Sequence, residues 1–214
     1  MSGLANAGSG GIVAELAEVI MANRAYLSEI DGLIGDGDHG VNMAKGFGRA
    51  AERIAGRDLS LGGAMAELSD VLLTEIGGSM GPLYGLMFQE MAEAIGDADS
   101  IDAPAFGAML RAGLDAVQSV GSAQVGDKTL VDCLQPAVEA FEAAVARSVD
   151  FPGAIAAMTV AAERGRDSTT ALVARSGRSA RLGDRSRGVL DAGAASCCLL
   201  LEALGQAAAR RLQA

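Results

Sequence analysis

Apolar side chains in this sequence recur with the 3.6-residue period of an α-helix, and this spacing restricts the possible folds more than any other feature. Leu16, Ile20 and Leu27 fall on one helical stripe, and Leu68 and Leu72 fall on another. The period predicts eight helices, at about residues 10–30, 41–55, 61–76, 82–96, 103–119, 130–146, 152–175 and 193–212. No repeat of fixed period and no flexible linker divides them. We therefore expect one all-α domain that covers residues 1–214.

The composition favours a helical fold and argues against other classes of protein. Half of the 214 residues are hydrophobic, but only 3% are aromatic and none is Trp, so the side chains that favour β-sandwiches and barrels are scarce. A disordered chain would lack this apolar content. The formal net charge of −10 argues against nucleic-acid binding, because neutralising phosphates over a long backbone needs a basic face.

Several sequence features bear on where the protein works. Residues 1–11 have neither a basic start nor a long apolar run, which a secretory signal would show. The most apolar stretch, 192–201, is much shorter than the ~20 residues needed to span a bilayer. The cysteines are odd in number, at 133, 197 and 198, as expected for reduced thiols. We expect a cytoplasmic protein without a membrane segment.

The loops between the predicted helices fall into two groups. If neighbouring helices joined by short loops pack antiparallel, alternate loops lie at the same end of the bundle. The loops at one end are then 31–40, 77–81, 121–129 and 176–193; all four contain glycine, and all but 77–81 also carry charged residues. The other three are ordinary connectors. The count predicts one composite site, built from four loops at one end of a bundle.

The first loop places three carboxylates within eight residues, at Asp31, Asp36 and Asp38. Carboxylates this close repel one another and need a cation or solvent between them, and hard oxygen ligands suit Mg²⁺ or Ca²⁺. An EF-hand is excluded, because the twelfth position counted from Asp36 is Phe47. A Rossmann phosphate loop is excluded, because a helix rather than a strand precedes the glycines. A metal site and a solvated turn both remain open.

His39, the only histidine, lies beside these carboxylates, which would favour its imidazolium form. Contact with a phosphate and a role in holding the loop are both open for it. The second loop, 77–81, has the glycines of an anion-binding nest, although a plain helix link fits equally. The third loop is not a Walker A motif, and Asp127 or Thr129 is expected as a helix N-cap.

The fourth loop carries a cluster of arginines on this acidic chain. Such a cluster suits a phosphate or an acidic partner surface, and a solvated charge run is the plainer alternative. The arginines of this cluster are Arg178, Arg181, Arg185 and Arg187.

Four strings of residues in these loops are, together and in order, highly specific. They are Ile34-Gly35-Asp36-Gly37-Asp38-His39-Gly40-Val41-Asn42-Met43, then Gly81-Pro82-Leu83-Tyr84-Gly85 after two glycines at 77 and 78, then Gly126-Asp127-Lys128-Thr129, then Leu182-Gly183-Asp184-Arg185-Ser186 with Asp191 and Gly193. Across essentially its whole length the chain resembles the nucleotide-binding L subunit, or Dak2-type domain, of dihydroxyacetone kinases. The resemblance implies a barrel of eight antiparallel helices that holds ADP or ATP and two Mg²⁺ ions at one end.

The resemblance also implies roles for individual residues. Asp31, Asp36 and Asp38 would be the Mg²⁺ ligands. The nucleotide contacts would be His39, Gly40, Val41, Asn42, Ser79, Met80, Gly121, Leu130, Arg178, Asp191, Ala192 and Gly193. Four positions depart from the family pattern: Ser79-Met80 replaces a pair of small residues, Ala192 replaces a proline, and Arg181 replaces an aromatic residue.

The function implied by the resemblance is that of a phosphotransferase subunit that is inactive alone. It would transfer the γ-phosphoryl group to dihydroxyacetone, or to a related short ketose such as a tetrulose, held by a separate K subunit. In one scheme, bound ADP is rephosphorylated by a phosphohistidine M subunit that depends on phosphoenolpyruvate. In the other, the nucleotide exchanges with ATP in solution. A free-standing chain with Asp38-His39-Gly40 favours the first scheme, and a non-catalytic nucleotide-dependent interaction module is the competing interpretation.

Overall fold

The computed structural model describes residues 3–213, and within them the fold is almost entirely helical. This confirms the prediction of an all-α fold. The nine α-helices of the described residues are α1 (Gly11–Ala22), α2 (Arg24–Ile34), α3 (His39–Ile54), α4 (Leu61–Glu75), α5 (Met80–Ile95), α6 (Ala103–Val120), α7 (Val131–Ala146), α8 (Phe151–Ser168) and α9 (Ala192–Leu212).

The predicted helix at 10–30 is two helices, because the backbone leaves helical geometry at Asn23. The amide and the side-chain Nδ2 of Asn23 both donate to the carbonyl of Val19. The amide of Leu27 in turn donates to the Asn23 carbonyl at 2.9 Å. The two helices therefore continue one another as a single bent rod, and α1–α2 together with α3 to α9 make the eight rods that the sequence predicts.

Two further boundaries differ from the prediction. Helix α8 ends at Ser168 rather than near residue 175, and a short 3-10 helix, Thr169–Ala171, follows it. A second 3-10 segment, Ser179–Ser186, lies in the fourth loop and is interrupted at Gly183. Pro136 lies inside α7 without ending it.

The periodicity did not predict a small β-ribbon. Strand β1 (Leu4–Ala5) pairs antiparallel with β2 (Ser100–Ile101), with Leu4 opposite Ile101. Two-residue strands are too short to show an alternating pattern in sequence. The ribbon joins the start of the described chain to the connection between α5 and α6.

The rods form a closed ring around one continuous core. Each rod packs against the next along the chain, and α9 packs against α1 to complete the ring. Arg211 of α9 donates to Glu15 of α1 at 2.6 Å, next to a second ion pair from Arg210. The interior is filled mainly by Leu, Ile, Met and Ala side chains and by all five phenylalanines. The short connections place the Gly-rich loops at one end and the plain connectors at the other.

Helix α9 is apolar throughout much of its length. By length and composition its 21 residues are sufficient to cross a membrane, although the apolar run alone was predicted to be too short. However, 72% of its most apolar window is buried inside the ring. Its hydropathy is therefore that of a helix packed in a protein core.

Candidate functional site

A cavity of about 440 Å³ opens at the end of the ring where the four Gly-rich loops meet. Its wall includes residues from each of the four loops, among them Asp36, Ser79, Thr129 and Arg178. Alternation of the helix direction thus brings together residues as far apart in sequence as Asp31 and Gly193, as the loop count predicts. The volume lies in the range of small-molecule sites, about 300–1,000 Å³.

Three carboxylates converge on one side of this cavity. Asp31 lies in the last turn of α2, and Asp36 and Asp38 lie in the turn that leads to α3. Each offers an oxygen atom, and these three atoms lie within 4.8 Å of one another. Gly35 makes room for them, because a Cβ atom at this position would lie 2.4 Å from Oδ1 of Asp31. Clustered carboxylate oxygens open to solvent are the donor set that fits Mg²⁺.

Arg178, from the fourth loop, reaches across the cavity to these carboxylates. Its guanidinium forms an ion pair with Asp36 and lies 3.9 Å from Oδ2 of Asp38. All three side chains are about half exposed, so solvent screens the pairs. The contact places a strong anion-binding side chain directly beside the carboxylate cluster.

The second loop brings the start of α5 to the cavity. Gly77 and Gly78 are exposed, and Gly78 has the left-handed φ of +77° that favours glycine. Ser79 is the residue before α5, but its side chain does not cap the helix. The Ser79 side chain therefore leaves the first backbone N–H groups of α5 without a cap. Uncapped N–H groups at the start of a helix favour the binding of an anion.

A buried chain of hydrogen bonds lies behind the carboxylates. Nε2 of His39 lies 2.9 Å from Oγ of Ser196, which lies 2.7 Å from the hydroxyl of Tyr84. The Tyr84 hydroxyl also donates to the carbonyl of Gly193 at 3.2 Å. The chain connects the N-terminus of α3 to α5 and to the first turn of α9, so it fixes three walls of the cavity relative to one another.

Burial has the largest effect on the pKa values of His39 and Tyr84, the two ring side chains in this series of hydrogen bonds. The pKa of His39 lies below its ordinary value, because loss of hydration outweighs the attraction of Asp31. Asp31 favours the imidazolium form, as the sequence indicates, but burial of the ring has the larger and opposite effect. Burial also raises the pKa of Tyr84 well above its usual range. Both side chains are neutral near pH 7 and act as hydrogen-bonding groups.

The third loop is organised by Asp132 rather than by a capping residue. Its carboxylate accepts from the amides of Gly126 at 2.6 Å and Thr129 at 2.7 Å. Asp127 or Thr129 was expected as the N-cap of α7, and this was wrong. The N-cap residue is Leu130, and no side chain caps the helix there. Asp132 is 1% exposed, so the turn that presents Leu130 to the cavity is held from within the core.

Asp191 closes the cavity at the start of α9. Its side chain accepts from the amide of Ala194 at 2.7 Å and caps the helix. Burial raises the pKa of its carboxyl to about 6, against the opposing effects of the Ala194 hydrogen bond and the charge of Lys128. Ala192, which stands where the family pattern has a proline, is buried in the cavity wall.

Most of the residues expected to contact a nucleotide lie in the cavity wall. The wall contains the three aspartates and His39, Asn42, Ser79, Met80, Leu130, Arg178, Asp191, Ala192 and Gly193. Gly40, Val41 and Gly121 do not line it. Gly40 is buried where α3 meets α2, Val41 is 41% exposed, and Gly121 is an exposed residue just after α6.

Three residues in or behind the wall were not assigned a role from the sequence. Tyr84 and Lys128 lie in the recognised strings, and Ser196 interrupts an apolar helix. Lys128 is 1% exposed and has a left-handed φ of +63°. The sequence offered one indication of a special role for Lys128: it is one of only two lysines in the chain.

Comparison with known proteins shows which chains this one is similar to. The family model of the DAK2 domain matches residues 33–206. The chain is 35% identical over 192 residues to the ADP-binding subunit of the PEP-dependent dihydroxyacetone kinase of Escherichia coli K12, covering 89% of this chain and 91% of that protein. It is 36% identical over 192 residues to the ADP-binding subunit of the PTS-dependent dihydroxyacetone kinase of Lactococcus lactis, covering 87% and 90%.

Longer proteins match as well. The L-erythrulose 1-kinase of Mycolicibacterium smegmatis is 35% identical over 88% of this chain, which spans 33% of that protein. In structure, the chain resembles the dihydroxyacetone kinase from C. freundii solved in complex with AMP-PNP and Mg²⁺, with a TM-score of 0.69 and 24% identity. That match covers 92% of this chain and 33% of the other, and it shows a shared fold. Because the family model spans most of the sequence, this chain belongs to the DAK2 domain family.

Proposed function

We propose that this chain is the nucleotide-binding subunit of a ketose kinase, and that ADP or ATP binds with Mg²⁺ in the cavity at the loop end of the ring. The observation that supports this most directly is the meeting of three carboxylates, an arginine and a helix N-terminus in one cavity. The similarity to two ADP-binding subunits of dihydroxyacetone kinases supports the same function. The proposal treats residues 1–214 as one domain that works in the cytoplasm.

In this proposal, one group of cavity residues binds the metal ions and another group binds the phosphates. Asp31, Asp36 and Asp38 would hold two Mg²⁺ ions, which when bound neutralise phosphate charge. Arg178 and the first amides of α5 would bind phosphate oxygens. Phosphoryl transfer depends mainly on positioning and charge neutralisation, and these are what the loop end supplies.

We infer that the acceptor is held by a separate K subunit docked at this end, and that this chain alone is inactive. The ring of His39 is neutral and its Nε2 is engaged with Ser196, so it is not placed as a free base for a sugar hydroxyl. The γ-phosphoryl group would pass to dihydroxyacetone or to a related short ketose such as a tetrulose.

The phosphoryl donor divides the proposal into two schemes. We favour a resident ADP that a phosphohistidine M subunit rephosphorylates at the expense of phosphoenolpyruvate, because relatives matched over about nine-tenths of their length include subunits of PEP- and PTS-dependent kinases. The second scheme is exchange with ATP. In the first, ADP remains with the protein through gel filtration, whereas loss of ADP on simple dilution counts against it.

The binding proposal is tested by thermal unfolding with and without Mg·ADP. At about 100 times its Kd, a ligand that binds only the folded protein adds about 2.7 kcal/mol to the free energy of unfolding. Asp36→Asn removes one of the clustered carboxylates and should abolish most of this gain. Asp58→Asn, an exposed aspartate at the opposite end of the ring, should keep it. A wild-type protein that gains nothing from Mg·ADP would exclude nucleotide binding here.

Reconstitution tests the activity. The chain is mixed with the K subunit from the same genome, and ketose phosphorylation is followed with ATP and, after addition of the M subunit, with phosphoenolpyruvate. Turnover only with all components and a donor supports the phosphotransferase. Nucleotide binding without turnover under either donor scheme would favour the competing function, a non-catalytic nucleotide-dependent interaction module.

A further inference from the structure

Lys128 is a charged side chain buried between the third and fourth loops. Its Nζ donates to the carbonyl of Thr169 and to the carbonyl of Val189, each at 2.5 Å. Burial lowers its pKa, and the charges of Asp191 and Asp132 oppose this effect. A buried ammonium is costly unless it is paired and hydrogen-bonded, so this position indicates a specific role.

The two carbonyls that Lys128 binds lie at opposite ends of one long excursion of the chain. Residues 170–188, which we call the arginine loop, leave the ring after α8 and return to it before α9. The ends of the arginine loop also bond to each other: the amide of Gly188 donates to the Thr170 carbonyl at 2.8 Å, and the amide of Asp191 donates to Oγ1 of Thr169 at 3.1 Å. Lys128 therefore joins the two strands of the loop's neck.

The arginine loop carries part of the cavity wall. Residues 176–179 and Arg181 line the cavity, and Arg178 contacts the carboxylate cluster. The segment that follows the neck supplies Asp191 and Gly193. Beyond the neck, the amide of Ala174 donates to Oγ of Ser186, and the amide of Arg175 donates to the carbonyl of Asp127 in the third loop at 3.1 Å. The closed neck and the Arg175–Asp127 contact, both of which join this loop to the third loop, together set the position of Arg178 relative to the carboxylate cluster.

We propose that Lys128 is a positioning residue of the nucleotide site: it closes the neck of the arginine loop and thereby holds Arg178 over the carboxylate cluster. The expected effect of Lys128 on nucleotide binding rests on the proposed function, whereas the closure of the neck does not. The left-handed backbone at Lys128, φ +63°, agrees with this role. Such a conformation in a non-glycine residue persists where the surroundings fix it, often near functional sites.

The first test is limited proteolysis with trypsin in the absence of nucleotide. Five exposed arginines, at 175, 178, 181, 185 and 187, make the arginine loop a set of cleavage sites. Lys128→Met removes the ammonium while keeping a similar length, and cleavage within 175–187 should be about tenfold faster than in the wild type. Lys45→Met, which changes the only other lysine, exposed on α3, should leave this rate unchanged.

The second test asks whether Lys128 acts through Arg178. Affinity for Mg·ADP is measured by calorimetry for the wild type, Lys128→Met, Arg178→Ala and the double variant. Lys128→Met should weaken binding about tenfold in the wild-type background and less than about threefold when Arg178 is already absent, because coupled residues are not additive. A residue that only stabilises the fold would instead cost the same in both backgrounds.

The outcomes separate this inference from the proposed function. If the wild type does not bind Mg·ADP, the nucleotide proposal fails, and the trypsin rates still decide whether Lys128 closes the neck. If Lys128→Met is cleaved no faster than the wild type, the inference is wrong. Should Lys128→Met fail to fold by circular dichroism, Lys128→Gln, whose amide can donate to one of the two carbonyls, replaces it and should still be cleaved faster than the wild type.

Discussion

At the scale of single residues, hydrogen bonds between largely buried side chains hold the wall of the cavity in place. Tyr84 is 1% exposed, and its hydroxyl joins Ser196 on α9 to the carbonyl of Gly193. Through Ser196 it also supports His39, the first residue of α3. Because a buried donor or acceptor without a partner is costly, these hydrogen bonds fix the relative positions of α3, α5 and α9.

We expect Tyr84→Phe to lower the free energy of unfolding by about 1–2 kcal/mol, since it leaves Ser196 and Gly193 each with one hydrogen bond fewer. Urea unfolding followed by circular dichroism measures this. Tyr26→Phe removes the same hydroxyl from a side chain that is 42% exposed and should change the stability by less than about 0.5 kcal/mol. Equal effects of the two substitutions would show that the buried chain does not contribute.

The sequence predicted the charged residues of the site better than the residues that support them. Asp31, Asp36 and Asp38 could be grouped because they lie within eight residues, and their shared loop makes their proximity a local property. Tyr84 and Ser196 are 112 positions apart, and nothing in the local pattern of either indicates the other. The neutral state of His39 also could not be predicted, because it depends on burial by packed helices rather than on neighbouring charges in the sequence.

At the scale of elements, the turn between α2 and α3 brings two helices unusually close together. A Cβ atom on Gly40 would lie 2.1 Å from the carbonyl oxygen of Arg24 and 2.7 Å from the amide of Ser28. These are backbone atoms of α2 and cannot move aside singly. The close approach brings the C-terminal end of α2, with Asp31, against the N-terminal amide of His39, which donates to Asp31 at 3.2 Å.

Gly40→Ala should therefore destabilise the protein by about 1–3 kcal/mol through overpacking, and it should weaken Mg·ADP binding as the aspartates separate. Gly48 lies on the same helix, and a Cβ atom there would lie 3.4 Å from the flexible side chain of Met21. Gly48→Ala should be neutral or stabilise by up to about 1 kcal/mol, because alanine favours the helix. Thermal unfolding of both variants decides this, and a Gly40→Ala protein as stable as the wild type contradicts it.

Helix periodicity predicted the elements well and their interruptions poorly. The apolar stripe continues through 10–30 because α1 and α2 both face the core, so the break at Asn23 does not disturb the pattern. The end of α8 at Ser168 was missed for a similar reason, because the following 3-10 helix keeps Thr169 buried. Side-chain hydrogen bonds to the backbone, as at Asn23, decide such breaks and leave no periodic signal.

At the scale of the whole molecule, the alternating direction of the rods separates the end with the Gly-rich loops and the cavity from the end with the plain connectors. The first described residues belong to the plain end: the amide of Asn6 donates to Asp99, the amide of Gly10 donates to Leu59, and β1 pairs with β2. Helix α9 ends beside them, as its ion pairs with Glu15 show. Both ends of the described chain therefore lie away from the cavity.

A circular permutant tests this arrangement. Joining residue 213 to residue 3 by a short Gly/Ser linker and opening the chain between Arg147 and Ser148, at the plain end, should preserve both the fold and Mg·ADP affinity within about threefold, because exposed loop tips tolerate such openings. Opening the chain between Gly177 and Arg178 should preserve the fold and reduce the affinity at least about tenfold. Unfolding midpoints and calorimetry provide the two measurements, and equal affinities would contradict the assignment of the two ends.

The position of the chain ends also has a consequence for how such a ring can be joined to other proteins. A second domain attached by a flexible linker at either end would remain near the ring without covering the loop face. A linker of suitable length gives its two modules effective concentrations in the millimolar range. A gene fusion at the plain end could therefore replace a weak encounter between separate chains by a tethered one, with no change in the residues that line the cavity.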